Sequence, residues 1–314
     1  MASPITRARP AALSRPPGLH RRTDHATADR RLGYGLLAPA MAVFLAITGF
    51  PLVYNLWNSL HEVDLADPSA SEFVGVDNYT TLFTDPEFLV ALARTTAYTV
   101  VSVAVQTAIA LGVALVLHRE FRGRGFVRAA VLIPWAVPTV VSAMIWKNIF
   151  DPRTGFLNYG LGVLHLPGAD TTWLAGPWTA WLAIFAADAW KTVPFTAIIL
   201  LAGLQVIPDE IYEAGRVDGA NAWQRFLHLT LPMLVPALMV VLIFRTISAF
   251  LIFDVIFIMT GGGPGQTTET ITYLNWKAFL VDLDFGAGAA ISIVLVAMAL
   301  LISAVYVKTL RPRV

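Results

Sequence analysis

The sequence predicts an all-α polytopic membrane protein with six transmembrane helices and both termini on the cytoplasmic side. Two features of composition lead there. Only 14% of the 314 residues are charged while 56% are hydrophobic, whereas a soluble domain of this size carries about a quarter charged residues to keep its surface in water. The mean hydropathy is +0.65, and the apolar residues gather in long runs, which places much of the surface against lipid. The third observation is the distribution of Lys and Arg along the chain, which fixes the orientation.

Residues 1–31 differ from the rest: they are rich in Arg, Pro and Ala without apolar periodicity, and are expected to form a disordered basic cytoplasmic tail. The apolar run from Leu32 to Leu60 exceeds the roughly 7–15 residues of a signal core, and Ala38-Pro39-Ala40, which mimics a cleavage site, lies at its start. A retained first span is expected. A span needs about 20 mostly apolar residues, and six stretches qualify, near 33–58, 93–117, 127–149, 178–204, 233–259 and 286–307. Pro134, Pro138, Pro194 and Gly203 fall inside them, which membrane helices tolerate when neighbours satisfy the freed backbone groups. The membrane-spanning body is thus expected over 32–310, with one large loop at about 205–232.

Sixteen of the 22 basic residues fall in the tail, in the loop His118–Arg128, in the loop after span 4 and at the C-terminus. By the excess of Lys and Arg in cytoplasmic segments, both termini are cytoplasmic. The opposite segments are acidic: Glu62 to Glu87 carries seven carboxylates and no Lys or Arg. Trp146, Trp173, Trp178, Trp181 and Trp276 fall near the outer boundary, as an interfacial aromatic belt does.

Several chemistries are excluded. The chain has no cysteine, so disulfides, thiolate metal sites and cysteine nucleophiles are absent. The run Gly261-Gly262-Gly263-Pro264-Gly265 does not end in Gly-Lys-Ser/Thr, and none of the four Lys follows a Gly, so it is no phosphate loop and reads as a flexible outer turn. The six His are scattered, and no metal motif, nucleophile elbow or carboxylate pair appears. No catalytic residue, cofactor or metal is expected, and nothing points to nucleic acid.

The loop between spans 4 and 5 carries the strongest signal. Pro208 and Asp209 start a helix, with Glu210 favourable at its positive end; Gly219 after Asp218 is a helix stop; Asn221 caps a second short helix that leads to Leu231-Pro232. Ala214 and Gly215 are small enough to let another backbone approach, with Ile211 and Tyr212 as apolar anchors. One reading is an interfacial helix resting on lipid. The acidic Glu213 and Asp218, which anionic headgroups repel, favour a protein partner instead.

Glu213-Ala214-Gly215, then Gly219, then Leu229-x-Leu231-Pro232 resembles the loop of binding-protein-dependent ABC importer permeases, whose pattern is Glu-Ala-Ala, three residues, Gly, nine residues, Ile-x-Leu-Pro. Asp218-Gly219-Ala220 is its usual setting. Gly215 stands for the second Ala and Leu229 for Ile. Phe73-Val74-Gly75-Val76-Asp77-Asn78-Tyr79, Phe244-Arg245-Thr246 and Thr260-Gly261-Gly262-Gly263-Pro264 are similar to carbohydrate-uptake permeases of the maltose and glycerol-phosphate type. The resemblance implies a subunit of the bacterial cytoplasmic (inner) membrane that forms a sugar path. It also implies two cytoplasmic ATP-binding subunits, a second and homologous permease as hetero-partner, and an extracytoplasmic solute-binding protein, with membrane lipid around it. In such families the loop docks on the ATPase, so Glu213, Ala214, Gly215, Asp218, Gly219, Ala220, Leu231 and Pro232 are the implied coupling residues, and ATP hydrolysis belongs to the separate subunit.

Charges within spans are costly and mark ion pairs or aqueous paths. Asp188 and Lys191 share one face of span 4 and can pair. Arg245 and Asp254 in span 5 are two and a half turns apart, so each needs another partner, such as one on span 4. A structural ion pair and a substrate contact both remain open, and Asp188 with Trp190 is the first substrate-path candidate. The alternative to an ATP-driven importer is an ion-coupled secondary transporter with Asp188, Lys191, Arg245 and Asp254 as a proton relay, which leaves the docking loop unexplained.

Overall fold

A computed structural model describes residues 21–63 and 71–309, with side chains from Leu32 onward. The chain is helical almost throughout. Among the described residues five helices are long and apolar enough to cross a membrane, and a bent pair makes a sixth span. Residues up to Tyr54 form one unit and the remainder a second.

The first unit holds α1 (Arg21–Phe44), a π-helical turn (Leu45–Gly49) and the start of α2 (Phe50–Asn58). The segment expected as a tail, 1–31, is divided: residues 1–20 lie outside the described residues, and helix begins at Arg21. The Pro-rich stretch ends at Pro17, and the Arg and Ala of residues 21–31 are good helix formers, so they extend the first span as one helix.

The second unit opens with a short hairpin, β1 (His61–Glu62) and β2 (Glu72–Phe73), paired antiparallel with His61 opposite Phe73. After α3 (Asp77–Thr84), span 2 is α4 (Pro86–His118). Asp85 caps α4 by accepting from the Glu87 amide at 3.0 Å, and Pro86 occupies the first turn, where its missing N–H costs nothing. Small and polar residues (Ala91, Thr95, Ser102, Gln106, Ala110, Ala114) recur on its buried face. They let α4 lie close along span 4, α9 (Pro177–Leu204), which buries Ala180, Ala183, Ala187 and Ala197.

Span 3, expected over 127–149, is bent. It consists of α5 (Arg124–Val131) and α6 (Ile133–Ala136), continuous in direction, and α7 (Thr139–Ile149), bent from them by 91°. Pro138 explains the break: its ring disfavours the helical region for Val137, which takes ψ 131°, and Pro138 itself is extended at ψ 140°. Beyond α7, the segment leading to α9 carries α8 (Phe156–Val163) and closes on itself where the Trp173 indole donates to Asn158 Oδ1 at 2.7 Å.

Following span 4 come α10 (Asp209–Val217), α11 (Ala222–Arg225), a π-helical turn (Phe226–Thr230) and α12 (Leu231–Met233). Span 5 is α13 (Val235–Phe250) and α14 (Asp254–Met259), interrupted at residues 251–253. The freed Ile252 carbonyl accepts the hydroxyls of Thr270 (3.2 Å) and Thr272 (2.7 Å). Spans 4 and 5 lie close together at Gly203, where a Cβ would stand 2.5 Å from Ala237 Cβ and 2.9 Å from Leu234 Cδ1. Ala237 Cβ has no rotamer by which to yield. Gly203→Leu is therefore expected to push the spans apart and to lower severalfold the amount of subunit recovered folded from membranes, read by size-exclusion of the detergent extract.

The glycine run is not the flexible turn that its composition suggests. Arg94 donates to the Gln266 carbonyl (2.6 Å), Trp181 to that of Thr267 (3.1 Å) and Tyr273 to that of Gly261 (2.8 Å), and Thr268 and Thr270 are fully buried. Donors on α4, α9 and α15 (Ile271–Leu280) thus hold it, and the last span, α16 (Phe285–Thr309), follows. Glu269 in this segment is 7% exposed. Burial raises its carboxyl above the ordinary value; Lys277 and Arg94 pull it down, and Glu87 pushes it up. Lys277 donates to Glu87 at 2.8 Å, a bond that raises the lysine above its ordinary value. Because the folded value of Glu269 is raised, its ionisation opposes folding: stability falls as pH climbs from the ordinary glutamate value to the raised one, then levels off. Glu269→Gln is expected to raise the unfolding temperature at neutral pH and to leave it unchanged below about pH 4, as followed by thermal scans across pH.

Candidate functional site

The loop after span 4 folds as a closed helix–turn–helix. In α10, Asp209 and Glu210 stand in the first turn and Arg216 in the last, matching both ends of the helix dipole. The helix ends in a two-bond left-handed cap: Ala220 N–H reaches Gly215 O at 2.9 Å and Gly219 N–H reaches Arg216 O at 3.1 Å, with Gly219 at φ +77°. Two residues on, Asn221 and Gln224 bond each other's backbone amides reciprocally, at 2.9 and 2.8 Å, and start α11. Arg225 then closes back on the Ala220 carbonyl at 2.6 Å. Leu231 and Pro232 follow in α12 and lead into span 5.

Not every small or apolar residue of α10 points outward. Gly215 is buried, and a Cβ on it would meet Leu229 Cδ1 at 2.8 Å; Tyr212 packs on the apolar cluster around Leu200 and Leu204, and its hydroxyl accepts from Thr230 at 3.2 Å. Gly215 is thus packed within its own chain, while Tyr212, half-buried, ties α10 to span 4 and also borders the cavity beside the loop. The two departures from the family pattern, Gly215 and Leu229, touch each other. Ala214, Asp218 and Gly219 are exposed, and Glu213 and Arg216 form an exposed pair at 3.6 Å. Val217 at 87% and Trp223 at 67% exposure are apolar groups that the sequence pattern did not single out. A cavity of about 1100 Å³ lies between this loop and the end of α4, bordered by Tyr212, Glu213, Arg216, Trp223, His118 and Arg119.

The second cluster lies inside the spans. Asp188 Oδ2 on α9 accepts from Arg245 Nη2 on α13 (2.6 Å), Tyr98 on α4 (2.8 Å) and Gln106 on α4 (3.0 Å). Gln106 Oε1 in turn accepts from Arg245 Nε (3.0 Å) and Thr192 (2.8 Å). The Arg245 and Asp188 side chains are 4% and 11% exposed. On all three helices the cluster sits at the seam between two apolar clusters, with Val103, Ala187 and Ala249 on one side and Ala110, Val193 and Val241 on the other. Tyr98, Gln106 and Thr192 carry no charge, so the cost of charges within spans does not point to them in the sequence.

Lys191 does not pair with Asp188. Its ammonium donates to the carbonyls of Val137 and, at 3.4 Å, of Trp135. The reason is the proline break, which frees carbonyls at the negative end of α6, and a lysine one helix away satisfies them. Asp254 is exposed in the first turn of α14, where an acid suits the helix dipole, and it does not meet Arg245. Trp190 is half-buried and edge-on to Trp146, with ring centres 6.1 Å apart.

Residues 106–314 match the family described as the binding-protein-dependent transport system inner membrane component. Among curated relatives, the trehalose/maltose transport system permease protein MalF of Thermococcus litoralis is 41% identical over 285 residues, covering 91% of this chain and 95% of its own. The trehalose transport system permease protein SugA of Mycobacterium tuberculosis is 38% identical over 287 residues, with 91% of each chain covered. The sulfoquinovosyl glycerol transport system permease protein SmoG of Agrobacterium fabrum is 37% identical over 285 residues, covering 91% of this chain and 92% of its own. A chain of a bacterial ABC transporter involved in alginate import shares the fold, with a TM-score of 0.78 at 23% identity, covering 93% of this chain and 99% of that one.

Proposed function

The chain belongs to the binding-protein-dependent transport system inner membrane components, and from that premise we propose that it forms one half of the membrane path for a small glycoside in an ATP-driven importer. It is a translocation subunit of the cytoplasmic (inner) membrane and not an enzyme. Its partners are cytoplasmic ATPase subunits, a second permease and an extracytoplasmic solute-binding protein. The substrate class follows from the relatives, whose named solutes are trehalose, maltose and a sulfoquinovosyl glycerol.

The observation that carries the coupling role is the capped helix–turn–helix at 208–232. It presents Glu213, Ala214, Val217 and Asp218 on a rigid support, while Gly215, Tyr212 and Leu231-Pro232 tie that support to spans 4 and 5. With the termini and this loop in the cytoplasm, as the charge distribution indicates, a partner closing on α10 moves both spans directly. Asp188 and Arg245 act in this reading as an internal tie between spans 2, 4 and 5, and Trp190, Lys191 and Asp254 at the breaks of spans 3 and 5 border the path. The ion-coupled alternative finds no support: Asp188 and Arg245 are closed on each other by hydrogen bonds, not strung into a relay.

Uptake of labelled trehalose into cells expressing the operating complex tests this reading. Uptake is expected to require the chain, to stop on ATP depletion and to survive an uncoupler while ATP is maintained. Uptake that collapses with the uncoupler alone would refute it.

A further inference from the structure

The loop between spans 2 and 3 carries a surface that the coupling role does not use. Residues 119–128 hold Arg119, Arg122, Arg124 and Arg128 against the single acid Glu120. Arg124 pairs with Glu120 at 3.5 Å and Arg128 donates to the Leu117 carbonyl at 2.8 Å, while Arg122 has no ion-pair partner among the described residues. Residues 119–127 are exposed throughout, and they include Phe126 at 80% and Phe121 at 38%.

Residues Arg124–Ala136 run as one helix up to the proline break. Phe126, Ala129, Ile133 and Ala136 therefore fall at i, i+3, i+7 and i+10, on one face, and all four are exposed. The later part of that stripe belongs to span 3, where an exposed apolar side chain faces hydrocarbon. Phe126 continues it by about 10 Å along the axis at 1.5 Å per residue, out to headgroup level. At that level Arg122 and Arg124 stand beside it. An apolar stripe that leaves the hydrocarbon and ends among guanidinium groups is the complement of a phospholipid with a negative headgroup.

We propose that residues 119–133 form a binding site for anionic phospholipid of the inner leaflet, with Arg122 and Arg124 on the headgroup and Phe121 and Phe126 in the upper acyl region. This rests on the cytoplasmic orientation given above. Arg119 and His118 border the cavity beside α10, so lipid held here bears on the coupling loop.

The chain has no cysteine, so Phe126→Cys introduces its only thiol, and a nitroxide there reports its surroundings in the assembled complex with cysteine-free partners. In vesicles of phosphatidylcholine with phosphatidylglycerol, the label is expected to relax with oxygen and to be shielded from a water-soluble nickel complex. Spin-labelled phosphatidylglycerol is expected to be preferred severalfold over labelled phosphatidylcholine by the wild-type complex, and the preference to disappear in Arg122→Gln/Arg124→Gln. Shielding of the label from both relaxants would show a protein partner on this face and overturn the proposal, as would an unchanged preference in the arginine variant. Labelling of the same cysteine by an impermeant maleimide in intact cells would instead overturn the orientation, a failure distinct from that of the lipid contact.

Discussion

Replacing Asp188 by alanine is expected to cost the folded subunit about 3–5 kcal/mol, the usual consequence of leaving a buried charge without its partner. Arg245 is nearly enclosed and cannot find water by a change of rotamer without leaving the seam between the two apolar clusters. Tyr98 and Gln106 lose the same acceptor oxygen at once, and each stranded donor adds its own desolvation cost. The measurement is the yield of complex extracted from membranes and its unfolding temperature. Most of the loss should return in Asp188→Leu/Arg245→Met, because removing both charges removes the unpaired one. Wild-type assembly of Asp188→Ala with uptake alone abolished would assign Asp188 to the solute, not to the tie between spans.

The second large effect is expected at Gly219. The residue sits at φ +77°, where an L side chain costs about 1–2 kcal/mol and a β-branched one more. The cap it completes holds α10 against α11. Gly219→Val is expected to leave the subunit in the membrane at normal amounts, yet to reduce solute uptake to background and to abolish stimulation of the ATPase by solute. Gly219→Asn, which tolerates the left-handed region, should retain most of both activities. Glu213→Ala on the exposed face should weaken association with the ATPase while leaving the loop folded. Equal activity of the valine and glycine forms in reconstituted vesicles would remove the loop from the coupling path.

Much of this was legible because it rests on local rules. Long apolar runs announce spans 2, 4 and 6, and Pro208, Gly219 and Asn221 mark helix ends by their own backbone chemistry. The misreadings arise where a distant group decides. Pro138 is visible in the sequence, but Pro194, equally visible, lies inside an unbroken helix, so the residue type alone does not tell a bend of 91° from a tolerated proline. The spacing rule for helices offered Lys191 to Asp188, yet the carbonyls freed at Val137 took the lysine and Arg245, 57 residues away, took the aspartate. The glycine run looked loose because its composition says nothing of Arg94 and Trp181, which hold it from other helices.

The closeness of spans 4 and 5 at Gly203 and the bonded seam at Asp188 have a mechanical consequence. Two rods joined both near their ends and at the middle cannot bend independently, so a push delivered at α10 reaches them as rotation of one stiff lever. Compliance must then reside where backbone hydrogen bonding is already interrupted, at 137–138 and 251–253. The first of these joints is fastened by Lys191 on the Val137 carbonyl, a side chain that can let go and return without unwinding a helix.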